Sequence, residues 1–430
     1  MGPDHDALTG LPNRTLLRDL LSQAIANCSR DNRPLALLML SIGDFHELKG
    51  VLGYVEGDKV VREVARRAVR DLLPADIVAR MDDDLFAVVL PEAAADRATA
   101  VAESLLRAFT QPIDLSGLKG SPPIKAGIAL FPGHATDADV LIRCGNIALF
   151  DAEQRGEDVV IYSSQLGKRV ARTVSLIGGL PRAIEDNELL LYCQPKVHVA
   201  DAVVCGAEAL VRWRHPQEGL IGPGEFVKFT ERFNLISPLT HWVLDAAFRQ
   251  AYAWRQAGIR IPLAVNLSAV DLRDPKLIDR IKGNFATWGS QPEDLQFELT
   301  ESALMQDPAG ALEALSKLKS LGVRLLIDDF GTGYSSLSYL QKLPVDTIKI
   351  DRSFISAVTT SEQSAAIVRS MIDLGHALKL EVVAEGVEDQ ATWDRIAALG
   401  CDVVQGYWVS EPMPVSEAGD WLMQSRWHGP

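Results

Sequence analysis

A long apolar run is the first thing this sequence lacks. The longest candidates, such as Leu35 to Leu40, have the length of buried strands, far below the roughly 18 residues that a membrane-spanning helix requires. Cysteine is also scarce. Cys28, Cys144, Cys193, Cys205 and Cys401 are odd in number and form no Cys-x-x-Cys pair, which argues against a disulfide framework or zinc knuckle and for small buried hydrophobes. Positive charge is in deficit: 43 Lys and Arg face 57 Asp and Glu, for a formal net charge of −14. This balance argues against long nucleic acids as partners. A small anion stays open, because clustered carboxylates can bind one through metal ions. The opening Met1-Gly2-Pro3-Asp4-His5 lacks the charged-then-apolar layout of a signal peptide, so the expected location is cytoplasmic.

What is present is enough for two cores. The chain has 430 residues, 47% of them apolar, which suits two domains or a barrel with an appended module. In the first half, periodicity predicts helices over Thr9 to Cys28, Lys59 to Leu72, Asp96 to Phe109 and Asp137 to Gln154. Strands are expected over Leu35 to Ile42, Ile77 to Met81, Leu85 to Leu90 and Ile124 to Phe131. Two of these are joined through Asp82-Asp83-Asp84 as a tight hairpin, so an α+β sandwich is expected over residues 1–154. Residues 155–175 turn polar and basic, with Arg155, Lys168, Arg169 and Arg172 near Gly156 and Gly167. They are expected to link to a second domain over 176–430.

That second part alternates strand and helix. Eight strands are predicted: Leu189 to Val197, Val203 to Trp213, Leu263 to Ser268, Leu295 to Glu301, Val323 to Phe330, Thr347 to Asp351, Glu381 to Glu385 and Val403 to Tyr407. Eight such units imply a (β/α)8 TIM barrel. Only His198 to Ala202 separate the first two strands, too few for a parallel crossover of a dozen or more residues. The barrel is therefore expected to be modified, with its first strand antiparallel to the rest.

Polar residues recur at the strand ends. Glu208, Asn266, Glu298, Asp328 with Asp329, Lys349, Glu385 and Gln405 each sit in or near the end of a different strand, among apolar neighbours. In a barrel such positions converge on one mouth. Carboxylates gathered there must be protonated or bound to cations. Hard oxygen donors with one amide carbonyl suit Mg2+ or Mn2+. Adjacent Asp328 and Asp329 could each reach a metal, and two ions roughly 3.5–4 Å apart form the clamp used in phosphodiester hydrolysis.

The motifs Glu208-Ala209-Leu210 with Arg212, Asn266-Leu267-Ser268, Glu298-Leu299-Thr300-Glu301, Asp328-Asp329-Phe330-Gly331-Thr332-Gly333, Lys349-Ile350-Asp351, Glu385-Gly386-Val387-Glu388 and Gln405-Gly406-Tyr407 resemble, in order and spacing, those of EAL-domain cyclic di-GMP phosphodiesterases. The resemblance implies hydrolysis of this bacterial second messenger to linear pGpG with two Mg2+ or Mn2+ ions per site, and a place in biofilm and motility regulation. Glu208, Asn266, Glu298 and Asp328 would hold one ion, with Asp328 and Asp329 shared toward a second. Lys349 would orient the water or offset charge, and Glu385 would be the general base or a ligand of the second ion. Glu388 and Gln405 would steady water or substrate, Arg212 would grip a phosphate oxygen, and Leu210 would touch the substrate. Glu301 would anchor the loop from Asp329 to Ser336. One stretch departs from the family: Phe226-Val227-Lys228-Phe229-Thr230-Glu231 replaces a segment that usually carries proline and alanine, and Asn234 stands where glycine is usual.

Upstream, Asp6-Ala7-Leu8-Thr9-Gly10-Leu11-Pro12-Asn13-Arg14 opens a half that resembles a GGDEF diguanylate cyclase domain. Its signature is altered. The hairpin reads Asp82-Asp83-Asp84-Leu85-Phe86, so aspartates replace both glycines and Leu85 replaces the catalytic glutamate. Ser41 and Gly43 stand where a metal-binding aspartate belongs, Lys49 replaces a guanine-contacting asparagine, and Leu73 breaks the inhibitory Arg-x-x-Asp motif before Asp76. The expected protein is a tandem one, with a silent cyclase as regulatory or structural module and an intact phosphodiesterase. A receptor that binds cyclic di-GMP without cleaving it is the alternative. The resemblance also implies a homodimer through the EAL half, near the helix after Ser335. Because the chain starts almost at the first motif, it is expected to be the cytosolic part of a longer protein with an upstream sensor domain.

Overall fold

The computed structural model describes residues 4–43, 45–70, 72–115, 118–231, 233, 235–333 and 337–427. The chain divides into two compact units, Met1–Val174 and Ser175–Pro430. In the first, strands β1 (Leu35–Ile42), β2 (Ile77–Arg80), β3 (Leu85–Pro91), β4 (Ile124–Phe131) and β5 (Val159–Ile161) form one sheet in the order β2-β3-β1-β4-β5. Only β4 and β5 pair in parallel. All eight residues of β1 are buried. Ala36, Leu38, Leu40 and Ile42 enter one core while Leu35, Leu37 and Met39 enter the other, which is why the strand reads as an unbroken apolar run. Helices Tyr54–Arg70 and Ala95–Phe109 cover the first face, and Arg14–Arg30 and Ala138–Arg155 the second. Gly127 permits the last contact: a Cβ there would lie 2.1 Å from the backbone nitrogen of Leu149.

Element edges moved for local reasons. The first helix begins at Arg14, later than Thr9, because the Asn13 side chain caps it by accepting from the Leu16 N–H at 3.1 Å. Thr9 and Gly10 instead form a turn held by Asp6, whose carboxylate accepts from the Thr9 N–H at 2.8 Å. The next helix starts at Tyr54 rather than Lys59 and ends at Arg70. A helix at Phe45–Leu52 and a ribbon of Ile113–Leu115 with Leu118–Gly120 were not foreseen. Residues 155–175, expected as a linker, carry β5 and the first half of helix Ser164–Glu185. Their basic residues are helical partners: Arg155 and Arg169 both pair with Asp151.

In the second unit eight strands close a barrel: β6 (Leu189–His198), β7 (Val204–His215), β8 (Leu263–Leu267), β9 (Leu295–Thr300), β10 (Arg324–Phe330), β11 (Thr347–Ile350), β12 (Glu381–Glu385) and β13 (Val403–Gln405). From β7 to β13 each strand runs parallel to the next. Strand β6 closes the ring antiparallel to both β13 and β7. The cause is the short connection 199–203, tightened by Ala202 in the left-handed region (φ 57°) and by the His198 N–H donating to the Val203 carbonyl at 2.9 Å. One continuous core lies inside and around this barrel. Among the described residues, no helix is long and apolar enough to cross a membrane. Four of the five cysteines are buried, as expected of small hydrophobes.

Candidate active site

The parallel strands aim their carboxyl ends at one mouth, and the polar residues meet there. Glu298 of β9 is fully buried and is bracketed by two ammonium groups: Lys349 donates to its Oε2 at 2.6 Å and Lys196 to its Oε1 at 2.8 Å. Lys349, also fully buried on β11, lies 3.3 Å from Glu208, 3.1 Å from Asp328 and 2.5 Å from Glu385. Glu208 accepts from the Asn266 side chain at 2.8 Å and from Gln405 at 2.7 Å. Glu208 lies mid-strand rather than at a strand end, because β7 continues past the barrel to pair with Gly219–Ile221.

Adjacent carboxylates on a regular strand point to opposite faces. Asp328 and Asp329 escape that rule because the β10 register breaks between Ile327 and Phe330, and Asp329 takes a left-handed backbone (φ 54°). The irregularity re-aims a side chain, as bulges do. Two triads of carboxylates result, Glu208-Glu298-Asp328 and Asp328-Asp329-Glu385, with the ligand oxygens of each within 4.8 Å of one another. Asp328 belongs to both. Below them Glu301, buried at the start of helix Glu301–Gln306, accepts the Gly331 N–H at 2.8 Å. Gly331 stands at φ 97°, and a Cβ on it would meet Met371 at 2.4 Å. Ser335, Ser336 and Asn234 lie outside the described residues.

The electrostatics ask for cations. Two ammonium groups, on Lys196 and Lys349, face five carboxylates, so the gathered site is anionic. Burial, with Glu298 and Asp328 close by, pushes the Glu208 carboxyl up despite the opposing Lys349. Asp328 is raised chiefly by burial, and Asp329 by burial and then by Asp351. Glu385 is pushed up to about 8, by burial first and then by Asp328 and Glu208 against the pull of Lys349. For Glu298 burial acts upward too, yet the two lysines outweigh it and hold the group at about 2. Burial lowers Lys349, but the surrounding carboxylates carry it well above an ordinary lysine. An oxygen-rich set with excess negative charge and one amide fits hard divalent cations.

Two clefts open over the triads. A larger one of about 380 Å³ is walled by Val211, Ile236, Leu239 and Val243 and includes Glu208, Leu210, Asn266 and Asp328. The smaller, about 210 Å³, is lined by Gln194, Glu208, Leu210, Asp328, Arg352, Glu385, Glu388, Gln405 and Tyr407. Glu388 lies at the rim, half exposed and paired with Arg352 at 2.6 Å, outside both triads. Arg212 is half-buried, stacks 5.3 Å from the Tyr192 ring and donates to its neighbour's carbonyl, Val211, at 3.0 Å. Phe226, from the stretch that departs from the family, is fully buried edge-on to Trp213 at 5.7 Å, and Val227 and Glu231 line the larger cleft.

Residues 178–412 match the EAL domain family. The chain belongs to the EAL-domain family. Residues 3–159 match the diguanylate cyclase GGDEF domain, so the EAL domain stands second in a tandem. Over 415 residues the chain is 37% identical to the bifunctional diguanylate cyclase/cyclic di-GMP phosphodiesterase MucR of Pseudomonas aeruginosa, covering 96% of this chain and 61% of that one. It is 34% identical over 424 residues to the cyclic di-GMP phosphodiesterase NbdA of the same organism, covering 98% and 54%. The chain thus spans between half and two thirds of the length of these relatives. The solved structure of the MucR phosphodiesterase in complex with c-di-GMP superposes with a TM-score of 0.55 at 42% identity, covering 57% of this chain and 99% of that one.

Three polar residues of the EAL mouth escaped the sequence reading. Gln194 and Lys196 lie on antiparallel β6, where the rule of looking at strand ends fails. Their signal was a pair of polar residues two apart in an apolar strand, Gln194 opposite Glu208 in register. Arg352 follows β11 as the exposed first residue of a short helix and gave no signal of its own. In the first unit, the Ser41 hydroxyl donates to Glu153 at 2.7 Å, and a Cβ on Gly43 would lie 2.9 Å from Pro123. Lys49 pairs with Asp83 at 3.0 Å beside the rings of Phe45 and Tyr54. Arg80 donates to the Asp82 and Asp83 carbonyls, and Leu85 sits opposite Ser41.

Proposed function

We propose that the EAL unit is a cyclic di-GMP phosphodiesterase that hydrolyses one of the two phosphodiesters to give linear pGpG. The observation that carries this reading is the pair of carboxylate triads sharing Asp328. They would seat two Mg2+ or Mn2+ ions, one held by Glu208, Asn266, Glu298 and Asp328 and the other by Asp328 and Asp329, with Glu385 beside the second. When bound, such ions supply Lewis acidity toward the phosphoryl oxygens and neutralise charge that develops on phosphorus.

The chain's own groups do the rest. Glu385, at the mouth beside Asp328 and in contact with Lys349 at 2.5 Å, takes the proton of the attacking water. The water oxygen forms a bond to phosphorus as the bond to the ribose 3′ oxygen breaks, and that oxygen leaves with a proton from solvent. Lys349 directs positive charge at the reacting centre, while Lys196 and Gln405 keep Glu298 and Glu208 in place. Glu301 fixes the backbone at Gly331 and, through it, the Asp329 turn.

The GGDEF unit, in this reading, does not cyclise GTP and serves a regulatory or structural role. Leu85 carries no charge for the reaction, Ser41 is bound to Glu153, and Lys49 and Asp83 engage each other across the altered hairpin. The test is direct. Purified chain given cyclic di-GMP and Mn2+ is expected to yield pGpG by chromatography, and given GTP to yield no cyclic product. Binding of cyclic di-GMP without pGpG would leave a receptor rather than an enzyme. Glu208→Gln is expected to lower turnover about 100-fold or more, the scale of losing a ligand or an oriented donor. Full activity in that variant would refute the ligand assignment.

A further inference from the structure

We infer that Arg352 is a specificity residue that grips the second phosphate of the substrate, the one not being cleaved. The inference rests on the phosphodiesterase reading and adds to it the means by which a cyclic dinucleotide is told from a simpler diester. A cyclic dinucleotide carries two phosphodiesters on one ring. When one lies against the carboxylate triads, the other must lie off them, over the rim.

That second phosphate keeps its full negative charge and would lie at the rim of the smaller cleft, beside the carboxylate of Glu388. It needs a cation. Among the described residues lining either cleft, Arg352 is the one cationic side chain. Lys349 is fully buried beneath its carboxylates and offers nothing to the rim. The larger cleft has apolar walls, which suit a base better than a phosphate.

The guanidinium is already held. Glu388 holds it through Nη2 at 2.6 Å, and a guanidinium carries five N–H donors, so the rest of the fork can take an oxyanion in two-point fashion. Gly386 makes room for it: the residue stands at φ 73°, and a Cβ there would meet Arg352 Cγ at 2.4 Å. The stem of Arg352 therefore crosses the end of β12, beside Glu385. Its side chain is 62% exposed, so it can be replaced without disturbing the core.

The experiment compares two substrates in the full chain with Mn2+: cyclic di-GMP, with two phosphates, and bis(p-nitrophenyl) phosphate, with one. Arg352→Ala is expected to raise KM for cyclic di-GMP about 10- to 100-fold, the scale of one charge-assisted contact, with kcat changed far less. Against the one-phosphate diester its kcat/KM is expected to stay within about twofold, since no contact of this kind is lost there. Arg352→Lys, which keeps the charge and loses the fork, is expected to fall between. An equal loss on both substrates would put Arg352 at the reacting phosphate and overturn the inference. An unchanged KM for cyclic di-GMP in Arg352→Ala, with active wild type, would also overturn it while leaving the phosphodiesterase reading intact. A wild type that cleaves the simple diester but neither binds nor cleaves cyclic di-GMP would overturn both.

Discussion

A lysine with no exposed surface is stable in its charged form only where anions surround it, and Lys349 has four carboxylates between 2.5 and 3.3 Å away. The dependence is mutual. Replacing Lys349 with Met leaves crowded, buried carboxylates without their central cation, which is expected to destabilise the metal-free EAL unit by about 3–5 kcal/mol, read from urea denaturation near neutral pH. The loss should shrink at acid pH. Without the ammonium the folded-state proton affinity of Glu208, Asp328 and Glu385, already raised, rises further above its unfolded value, so their protonation favours the fold as pH falls. A loss that stays constant from pH 8 to pH 5 would contradict the carboxylate cluster as its cause. At this scale Glu208, Asn266, Glu298, Asp328, Lys349 and Glu385 were legible in sequence because each is polar within an apolar strand. Lys196 was not, because it lies on antiparallel β6, where strand ends do not mark the mouth, and Arg352 was not, since nothing local distinguishes an arginine at a rim from a solvated one.

Elements carry what single residues cannot. The broken register in β10 and the left-handed Asp329 put two consecutive carboxylates on one side of the barrel, and the Glu301 bond to the Gly331 backbone holds the turn that follows. Glycine is required at 331 by both conformation and space. Gly331→Ala is therefore expected to destabilise the EAL unit by about 1–3 kcal/mol, measured by thermal or urea unfolding, and to lower kcat more than it raises KM by shifting Asp329. Wild-type stability in that variant would argue against strain at this turn. The antiparallel β6 was readable in advance from the short connection before β7. The break in β10 was not, because the alternation of a strand in sequence is blind to a single residue taking φ above zero.

The molecule has two units with separate cores, two clusters flanking the sheet of the first unit and one continuous core, from 176 onward, in the second. All eight tryptophans fall at 213 or later, so indole fluorescence reports on the EAL unit alone. Mg2+ at about 100 times its Kd is expected to stabilise that unit by about 2.7 kcal/mol through simple linkage, seen as a raised melting midpoint by tryptophan fluorescence. In Glu208→Gln the shift is expected to diminish. An unshifted midpoint in saturating Mg2+ or Mn2+ would count against a metal seat. The strand count, the two units and most of the polar residues at the mouth follow from the sequence alone, because hydrophobic period and polar interruptions are local properties of the chain. The gathering of carboxylates into triads, the raised proton affinity of Glu385, the lysine beside Glu298 and the rim arginine belong to tertiary structure. Each depends on distances between residues far apart in the chain, such as Glu208, Asp328 and Gln405, that only closure of the barrel sets.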